Sequence, residues 1–171
     1  MPTDKVVVIV IGGLGHLALK FLKNWGCEVI AFSSSESKRA QILEMGATRV
    51  VNSRSREELS TIRGRLDFII NTTNVNLDWA SYLMALAPQG KFFNVGMVQE
   101  PMSIPNNLLI DGERVIGGSP VGSPGLASKM LEFCVRHEIY PEVEEFQMKD
   151  VNEALAHLEA GKARFRIVLK N

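Results

Sequence analysis

The sequence has little cysteine, few aromatic residues and no excess of charge of either sign. Cys27 and Cys134 are the only 2 cysteines in 171 residues, and without C-x-x-C spacing they favour a reducing compartment. Lys and Arg number 19, as do Asp and Glu, which argues against a nucleic-acid surface or a polybasic membrane patch. The first apolar run is too short to span a membrane and lacks the basic flank of a signal peptide. We therefore expect a cytoplasmic protein with no membrane or nucleic-acid partner.

Catalytic motifs are lacking as well. The sequence has no H-E-x-x-H and no carboxylate cluster at ligand spacing, so no metal site is predicted. Neither Tyr82 nor Tyr140 is followed by lysine four residues on, which leaves a short-chain dehydrogenase proton relay unsupported. His16, His137 and His157 are expected on helix surfaces or near helix ends, exposed to solvent. We therefore assign no catalytic residue.

Strand-like apolar runs alternate with helix-like periodicity along the chain. Strands are predicted at residues 5–11, 28–32, 48–51, 66–71, 91–95, 115–121 and 164–169, with helices between them. Gly26 is a predicted left-handed helix cap, Ser123 a predicted N-cap, and Asp150 with Glu153 a predicted capping box. Such alternation is typical of a parallel sheet covered on both faces. We expect residues 1–171 to form one Rossmann domain, an α/β fold with a doubly wound, six-stranded parallel sheet and helices on both faces.

Residues 6–18, VVVIVIGGLGHLA, form an apolar run that ends in a glycine turn before a helix. A helix N-terminus offers free backbone N–H groups to a pyrophosphate, so the turn is predicted to bind a dinucleotide. The residues assigned to this site are Gly12, Gly13, Leu14 and Gly15. In G-x-G-x-x-G register, Val10 occupies the first glycine position, where a β-branched residue resists positive φ. Val10 leaves two alternatives open, a weakened cofactor site or a turn wider than usual. A separate alternative is that the glycines only allow the helix to pack closely and bind no ligand.

The end of the second strand carries hydroxyls followed by cations. NAD-binding proteins usually place an acid here, on the ribose 2′-hydroxyl. Instead, Ser33, Ser34 and Ser35 precede Lys38, a pattern that favours charge-assisted binding of a 2′-phosphate and therefore NADP over NAD. Glu36 is the one nearby feature against NADP, and a solvated helix cap is the alternative interpretation.

Three further turns follow predicted strands, where ligands of parallel sheets bind. They contribute Thr72 after the fourth strand, then Val95, Gly96 and Met97, and finally Ser119, Pro120 and Val121. Each of these motifs taken alone is more often a turn with no role in binding. Their shared position at the ends of strands predicts a site for the nicotinamide half of the cofactor.

Together these residues resemble the zinc-dependent medium-chain alcohol dehydrogenases, in particular the cinnamyl alcohol dehydrogenase-like branch. The resemblance rests on IGGLGHLA, SSSESK, LEMGA, DFIINT, GGS, MLEFC, DVNEA and ARFRIV, in order and over nearly the whole chain. It implies that Ser33, Ser34, Ser35 and Lys38 hold the NADP 2′-phosphate and that Arg166 reaches the pyrophosphate. Val95, Gly96 and Met97 with Ser119, Pro120 and Val121 would surround the nicotinamide.

The resemblance also sets expectations about what surrounds this domain. The family joins a Rossmann domain to an N-terminal catalytic domain that holds its zinc, and only the Rossmann domain is recognised here. Family dimers commonly pair Rossmann sheets edge to edge, which implies a homodimer through the edge strand of residues 115–121. Valines replace two common family glycines at Val7 and Val10.

The favoured hypothesis is an NADP(H)-binding domain of a zinc-type alcohol or aldehyde oxidoreductase. Hydride transfer would then need the missing catalytic domain, and the isolated chain would be inactive. Two alternatives stay open: a non-catalytic Rossmann module that dimerises with weakened or lost nucleotide binding, and a fragment of a quinone-type reductase.

Overall fold

A six-stranded parallel sheet forms the centre of the computed structural model, which describes residues 1–171. The strand order is β3-β2-β1-β4-β5-β6, which confirms the doubly wound Rossmann arrangement. The strands of this sheet are β1 (Lys5–Ile9), β2 (Glu28–Ser33), β3 (Arg49–Asn52), β4 (Leu66–Asn71), β5 (Leu86–Asn94) and β6 (Val115–Gly118). The order reverses between β1 and β4, so a crevice opens at their carboxyl ends.

Helices connect the strands and cover both faces of the sheet. They are α1 (Gly15–Trp25), α2 (Arg39–Glu44), α3 (Arg56–Ser60), α4 (Trp79–Leu83), α5 (Asn107–Ile110), α6 (Pro124–Arg136) and α7 (Val151–Glu159). Val7 and Ile9 of β1 belong to one apolar core, and Val8 belongs to a second core on the opposite face. This alternation explains why β1 reads as a continuous apolar run, since both of its faces are buried.

The predicted helix caps are partly confirmed. Gly26 has a φ of 96° and ends α1, and the Ser123 Oγ accepts the Leu126 N–H at 3.3 Å at the start of α6. The capping box at Asp150 is wrong, because the Asp150 side chain makes no cap hydrogen bond. A short 3-10 turn over Met148–Asp150 leads into α7 and takes up that position.

Strand β5 starts at Leu86, earlier than the predicted residue 91, and contains Pro88 and Gly90. Its register against β4 shifts, with Leu66 paired to Leu86 but Phe68 paired to Lys91. This bulge accommodates the proline, which cannot donate to the ladder. Strands β1 and β6 are shorter than predicted.

A second, two-stranded parallel sheet follows α6. It pairs β7 (Val143–Gln147) with β8 (Arg166–Lys170), and α7 connects the two strands. β7 was not predicted, because its only apolar residues are Val143 and Phe146. The last predicted strand therefore lies outside the main sheet. No helix is long and apolar enough to cross a membrane.

Candidate cofactor site

The glycine turn, residues 10–15, connects β1 to α1 and keeps a tight form. Val10 adopts a φ of 66°, the left-handed region that a β-branched side chain rarely enters. A Cβ on Gly15 would lie 2.2 Å from the Val10 carbonyl oxygen, so α1 approaches the strand end closely. Thr72 Oγ1 lies 2.9 Å from the Ile9 carbonyl oxygen and 2.6 Å from that of Val10. Val10 therefore does not widen the turn. Its contacts with Gly15 and Thr72 keep the backbone of Val10 in this strained conformation.

Gly12 and Gly13 present bare backbone on the open side of this turn. A Cβ on Gly12 would meet nothing within 4 Å, whereas one on Gly13 would lie 2.9 Å from Arg166 Cζ. The guanidinium of Arg166 thus lies over the peptide of Gly13, although the two residues are far apart in sequence. Backbone N–H groups at a helix start beside an arginine fit the pyrophosphate of a dinucleotide.

His16 is fully buried, so its predicted position on the helix surface is wrong. Its Nδ1 lies 3.1 Å from the Gly12 carbonyl oxygen and its Nε2 lies 3.2 Å from the Glu142 backbone N. A carbonyl can only accept and an N–H can only donate, so the geometry requires a neutral ring with its proton on Nδ1. Burial lowers the pKa of His16 below its ordinary value, and the nearby cations Lys20 and Arg166 lower the pKa further.

The ring of His16 stacks on Phe165, with centroids 4.6 Å apart. Phe165 itself has a φ of 68°, a second strained residue beside the turn. His16 therefore joins the glycine turn to the two segments that lead into β7 and β8, and Phe165 directly precedes Arg166.

A charged cleft of about 480 Å³ opens on one side of the glycine turn. Its lining combines the glycine turn, the start of α2 with the 3-10 turn before it, and the end of α7 with the α7–β8 connection. It consists of Ile11, Gly12, Gly13, Ser37, Lys38, Gln41, Leu158, Gly161, Lys162, Ala163, Arg164 and Phe165. Three cations and no carboxylate line this cleft, although the whole chain has a net charge of zero. None of Lys38, Lys162, Arg164 or the adjacent Arg166 makes an ion pair.

The serines at the end of β2 form a compact turn, and of these neighbouring serines only Ser37 lines the charged cleft. Ser33 Oγ accepts the Ser35 N–H at 3.2 Å, and Ser35 Oγ lies 2.9 Å from Ser37 Oγ. Ser34 is exposed. Glu36, the residue expected to oppose a phosphate, lies 3.5 Å from Arg39 as an exposed ion pair and does not line the cleft.

An apolar cleft of about 770 Å³ opens on the other side of the glycine turn. It is lined by Leu14, Asn94, Val95, Gly96, Met97, Val98, Met102, Gly118, Ser119, Pro120 and Val121. The structure therefore brings Leu14 together with the two predicted turns after β5 and β6. The side chains of Met97 and Val121 are 81% and 96% exposed, so this apolar surface is open.

Two buried or half-buried asparagines hold the strand ends beneath the apolar cleft. Asn71 Nδ2 donates to Asn94 Oδ1 at 2.9 Å, and Asn71 Oδ1 accepts the Thr73 N–H at 3.1 Å. A Cβ on Gly96 would lie 2.2 Å from the Thr73 carbonyl oxygen, so the turns after β4 and β5 touch. Only a glycine allows this approach.

The cations Lys162 and Arg164, as well as Gln41, were not predicted from the sequence. The amide side chain of Gln41 gave no signal on its own. The cations lie in the segment GKARFR, between Gly161 and the last strand. Only the folded structure, which places them in one cleft with Lys38, indicates that they belong to the site.

Residues 13–136 match the sequence profile of the zinc-binding dehydrogenases. The chain belongs to this family. As predicted, it corresponds to the cofactor-binding part of the medium-chain alcohol dehydrogenases.

Relatives of this zinc-binding dehydrogenase chain are about twice its length. It is 51% identical over 170 residues to aldehyde reductase AdhA of Synechocystis sp., covering 99% of this chain and 51% of the relative. A cinnamyl alcohol dehydrogenase structure from Sorghum bicolor is 33% identical with a TM-score of 0.93, covering 98% of this chain and 48% of that one. The CAD of Helicobacter pylori, solved with NADP(H), is 31% identical with a TM-score of 0.84, covering 99% and 48%. The chain therefore spans about half of each.

The family description implies zinc, but the residues of this dehydrogenase chain do not fit a zinc site. No three His, Cys, Asp or Glu side chains are grouped so that they could hold a metal ion. The bare glycine backbone, the unpaired cations and the apolar cleft do fit a nicotinamide dinucleotide.

Proposed function

We propose that this chain binds NADP(H) and forms the cofactor-binding part of an alcohol or aldehyde oxidoreductase. One observation supports this most strongly: two clefts of opposite chemistry flank a single glycine turn. NADP(H) has a phosphorylated adenosine half and a flat nicotinamide half joined by a pyrophosphate. The charged cleft suits the first half, and the apolar cleft suits the second.

Each cofactor group has a set of residues in this proposal. Gly12, Gly13, Gly15 and Arg166 hold the pyrophosphate, and Ser33, Ser34, Ser35 and Lys38 hold the 2′-phosphate. The nicotinamide lies among Leu14, Val95, Gly96, Met97, Ser119, Pro120 and Val121. Thr72 acts through the turn, because its hydroxyl proton is directed to the carbonyls of Ile9 and Val10.

Bound NADPH would supply hydride to a carbonyl carbon, or NADP would accept hydride from an alcohol. The names of the relatives, an aldehyde reductase and cinnamyl alcohol dehydrogenases, support this substrate class. In the proposal, zinc and the groups that polarise the substrate oxygen belong to the part of the relatives that this chain does not span. The chain alone then binds the cofactor without turnover.

Calorimetric titration of the chain with NADPH and with NADH tests this function. We expect NADPH to bind more tightly, with no oxidation of NADPH in the presence of an aldehyde. NADH binding that equals or exceeds NADPH binding would contradict the NADP assignment. Rapid turnover by the chain alone would contradict the proposal that the catalytic groups belong to the part of the relatives that this chain does not span.

The strain at Val10 favours one second candidate, a module that has lost its nucleotide and serves in dimerisation. Its φ of 66° carries a conformational cost that a glycine would not have. No NADPH binding at millimolar concentration, combined with a folded dimer in sedimentation experiments, would favour this candidate.

A homodimer through β6 is proposed for either candidate. β6 pairs only with β5, so its other edge is open, and Val115 on it is 47% exposed. Val115→Lys should shift the sedimentation coefficient toward a monomer, and an unchanged coefficient would contradict this interface. The free thiols of Cys27 and Cys134 support the further proposal of a cytoplasmic location.

A further inference from the structure

The charged cleft contains more cations than the turn after β2 supplies. Lys38 comes from that turn, whereas Lys162 and Arg164 come from the connection between α7 and β8. All three are exposed, and none has a carboxylate partner within ion-pair distance. Like charges gathered in a cleft that no carboxylate lines repel one another, so the cleft favours an anion between them.

The segment that carries Lys162 and Arg164 is held at both ends. Glu144 of β7 accepts the Arg164 backbone N–H and lies 2.9 Å from His157 Nε2, and these bonds lower the pKa of Glu144. After Arg164, Phe165 is held in its left-handed conformation against the buried His16 ring. The backbone is therefore positioned before any ligand arrives, which lowers the entropy cost of binding.

The same conformation separates the two arginines on either side of Phe165. Arg166 lies over Gly13, where the pyrophosphate is proposed, and does not line the charged cleft. Arg164 and Lys162 share the cleft with Ser37 and Lys38, beside the serine turn. Because Gly12 and Gly13 line the same cleft, it is the shared position of Lys162 and Arg164 with Ser37 and Lys38 that assigns them to the 2′-phosphate, whereas Arg166 is assigned to the pyrophosphate.

We propose that Lys162 and Arg164 complete the 2′-phosphate site and set the preference for NADP over NAD. This inference rests on the proposed function. It assigns the specificity of the cofactor site to two segments more than 120 residues apart in the chain, as the positions of Lys38 and Lys162 show.

The test separates the 2′-phosphate from the rest of the cofactor by using adenosine 2′,5′-bisphosphate and ADP as probes. Lys162→Gln and Arg164→Gln each remove one charge, keep the backbone N–H groups and alter exposed side chains. Lys149→Gln is the matched control, since Lys149 is also exposed and unpaired but lies outside the cleft. Unfolding midpoints in urea verify that all variants fold.

We expect the Kd of adenosine 2′,5′-bisphosphate to rise about tenfold in each cleft variant, as for the loss of a charge-assisted contact, and about twofold or less in the control. The Kd of ADP should change by about twofold or less in every variant. Equal losses for both probes, or no loss for either, would overturn the inference.

The two proposals can fail separately. Wild-type chain that binds adenosine 2′,5′-bisphosphate but not NADPH would contradict the proposed function and leave the phosphate site standing. Wild-type chain that binds neither probe would overturn the phosphate site itself.

Discussion

The two clefts beside the glycine turn differ in how each is supported. The charged cleft is built from three segments, and buried His16 and the Glu144–His157 pair fix the segment that brings its cations. The apolar cleft has firm support beneath it, from Asn71 and Asn94, but its rim is open, with Met97 and Val121 almost fully exposed. The charged cleft is thus positioned before a ligand binds. The apolar cleft exposes apolar surface, and covering that surface with a ligand or another protein surface is favourable.

Gly15→Ala should have the largest effect, because the turn between the clefts would fail. The new methyl carbon would lie 2.2 Å from the Val10 carbonyl oxygen, a clash with backbone that cannot rotate away. We expect the free energy of unfolding in urea to fall by about 3 kcal/mol or more, with loss of NADPH binding.

Gly12→Ala is the matched control for that change, since its methyl group meets nothing within 4 Å. Its free energy of unfolding should stay within about 0.5 kcal/mol of wild type. NADPH affinity should nevertheless fall, because the methyl group occupies space where the pyrophosphate approaches. Wild-type stability in Gly15→Ala would refute the tight turn.

Ser33→Asp should change only the binding of the 2′-phosphate, beside the charged cleft. The carboxylate can accept the Ser35 N–H as the serine does, so the turn is retained, but it repels a 2′-phosphate. We expect NADPH affinity to fall by about 2 kcal/mol or more, with NADH affinity unchanged or higher. Ser33→Asn, which adds no charge, should keep the NADPH preference; an equal loss there would point to shape and not to charge.

The pH dependence of stability should identify His16 as a support of the charged cleft. Its pKa is lowered from 6.5 in the folded chain, so the unfolded chain binds the proton more readily. Stability is therefore complete above pH 6.5 and is lost as the pH falls toward the folded pKa, by at most about 1.4 kcal/mol per pH unit for one proton. Glu142 and Glu144, whose pKa values are lowered from 4.5, lose their contributions only below that pH.

His16→Asn removes the titrating ring but keeps a donor for the Gly12 carbonyl. Urea unfolding between pH 4.5 and 6.5 should then show a flatter profile than wild type. His137→Asn, a change at a half-buried histidine that packs on Phe133 at the end of α6, is the control, and equal flattening in both variants would show that the effect is not specific to His16. A wild-type slope in His16→Asn would show that other groups cause it.

Val10→Gly should have the smallest effect on stability. Relief of a strained φ is worth about 1–3 kcal/mol, and the added chain flexibility of glycine costs about 1 kcal/mol, so we expect unchanged or slightly higher stability. Val143→Gly is a fair control, since Val143 is 40% exposed against 42% for Val10 but has no positive φ. The control should lose about 1 kcal/mol. Equal losses would contradict strain at Val10, and a large gain in NADPH affinity would support the second candidate function.

The sequence allowed most of the main sheet to be predicted, because a parallel strand buried on both faces reads as a plain apolar run. The caps at Gly26 and Ser123 were predictable for a local reason, since each depends on a few neighbouring residues. The bulge around Pro88 was not, because its register is set by Leu66 on another strand. β7 was not predicted because only Val143 and Phe146 of its five residues are apolar, so it lacks the apolar run of the main strands.

In the candidate site, too, features set by neighbouring residues could be predicted, and features set by distant residues could not. The residues near the glycine turn and after each strand could be named from position alone. His16 could not, because its burial depends on Glu142 and Phe165, which join it only in the folded chain. The cations Lys162 and Arg164 were missed for the same reason.

The placement of Arg166 on the last strand has a consequence for how the protein is made. During synthesis every strand of the main sheet emerges before β8, and a nascent chain that ends at Gly161 can already complete its central fold. Such a chain would lack Lys162, Arg164 and Arg166. On the proposed assignments, the folded main sheet alone does not recognise the cofactor, which binds only once residues 162–166 have joined that sheet.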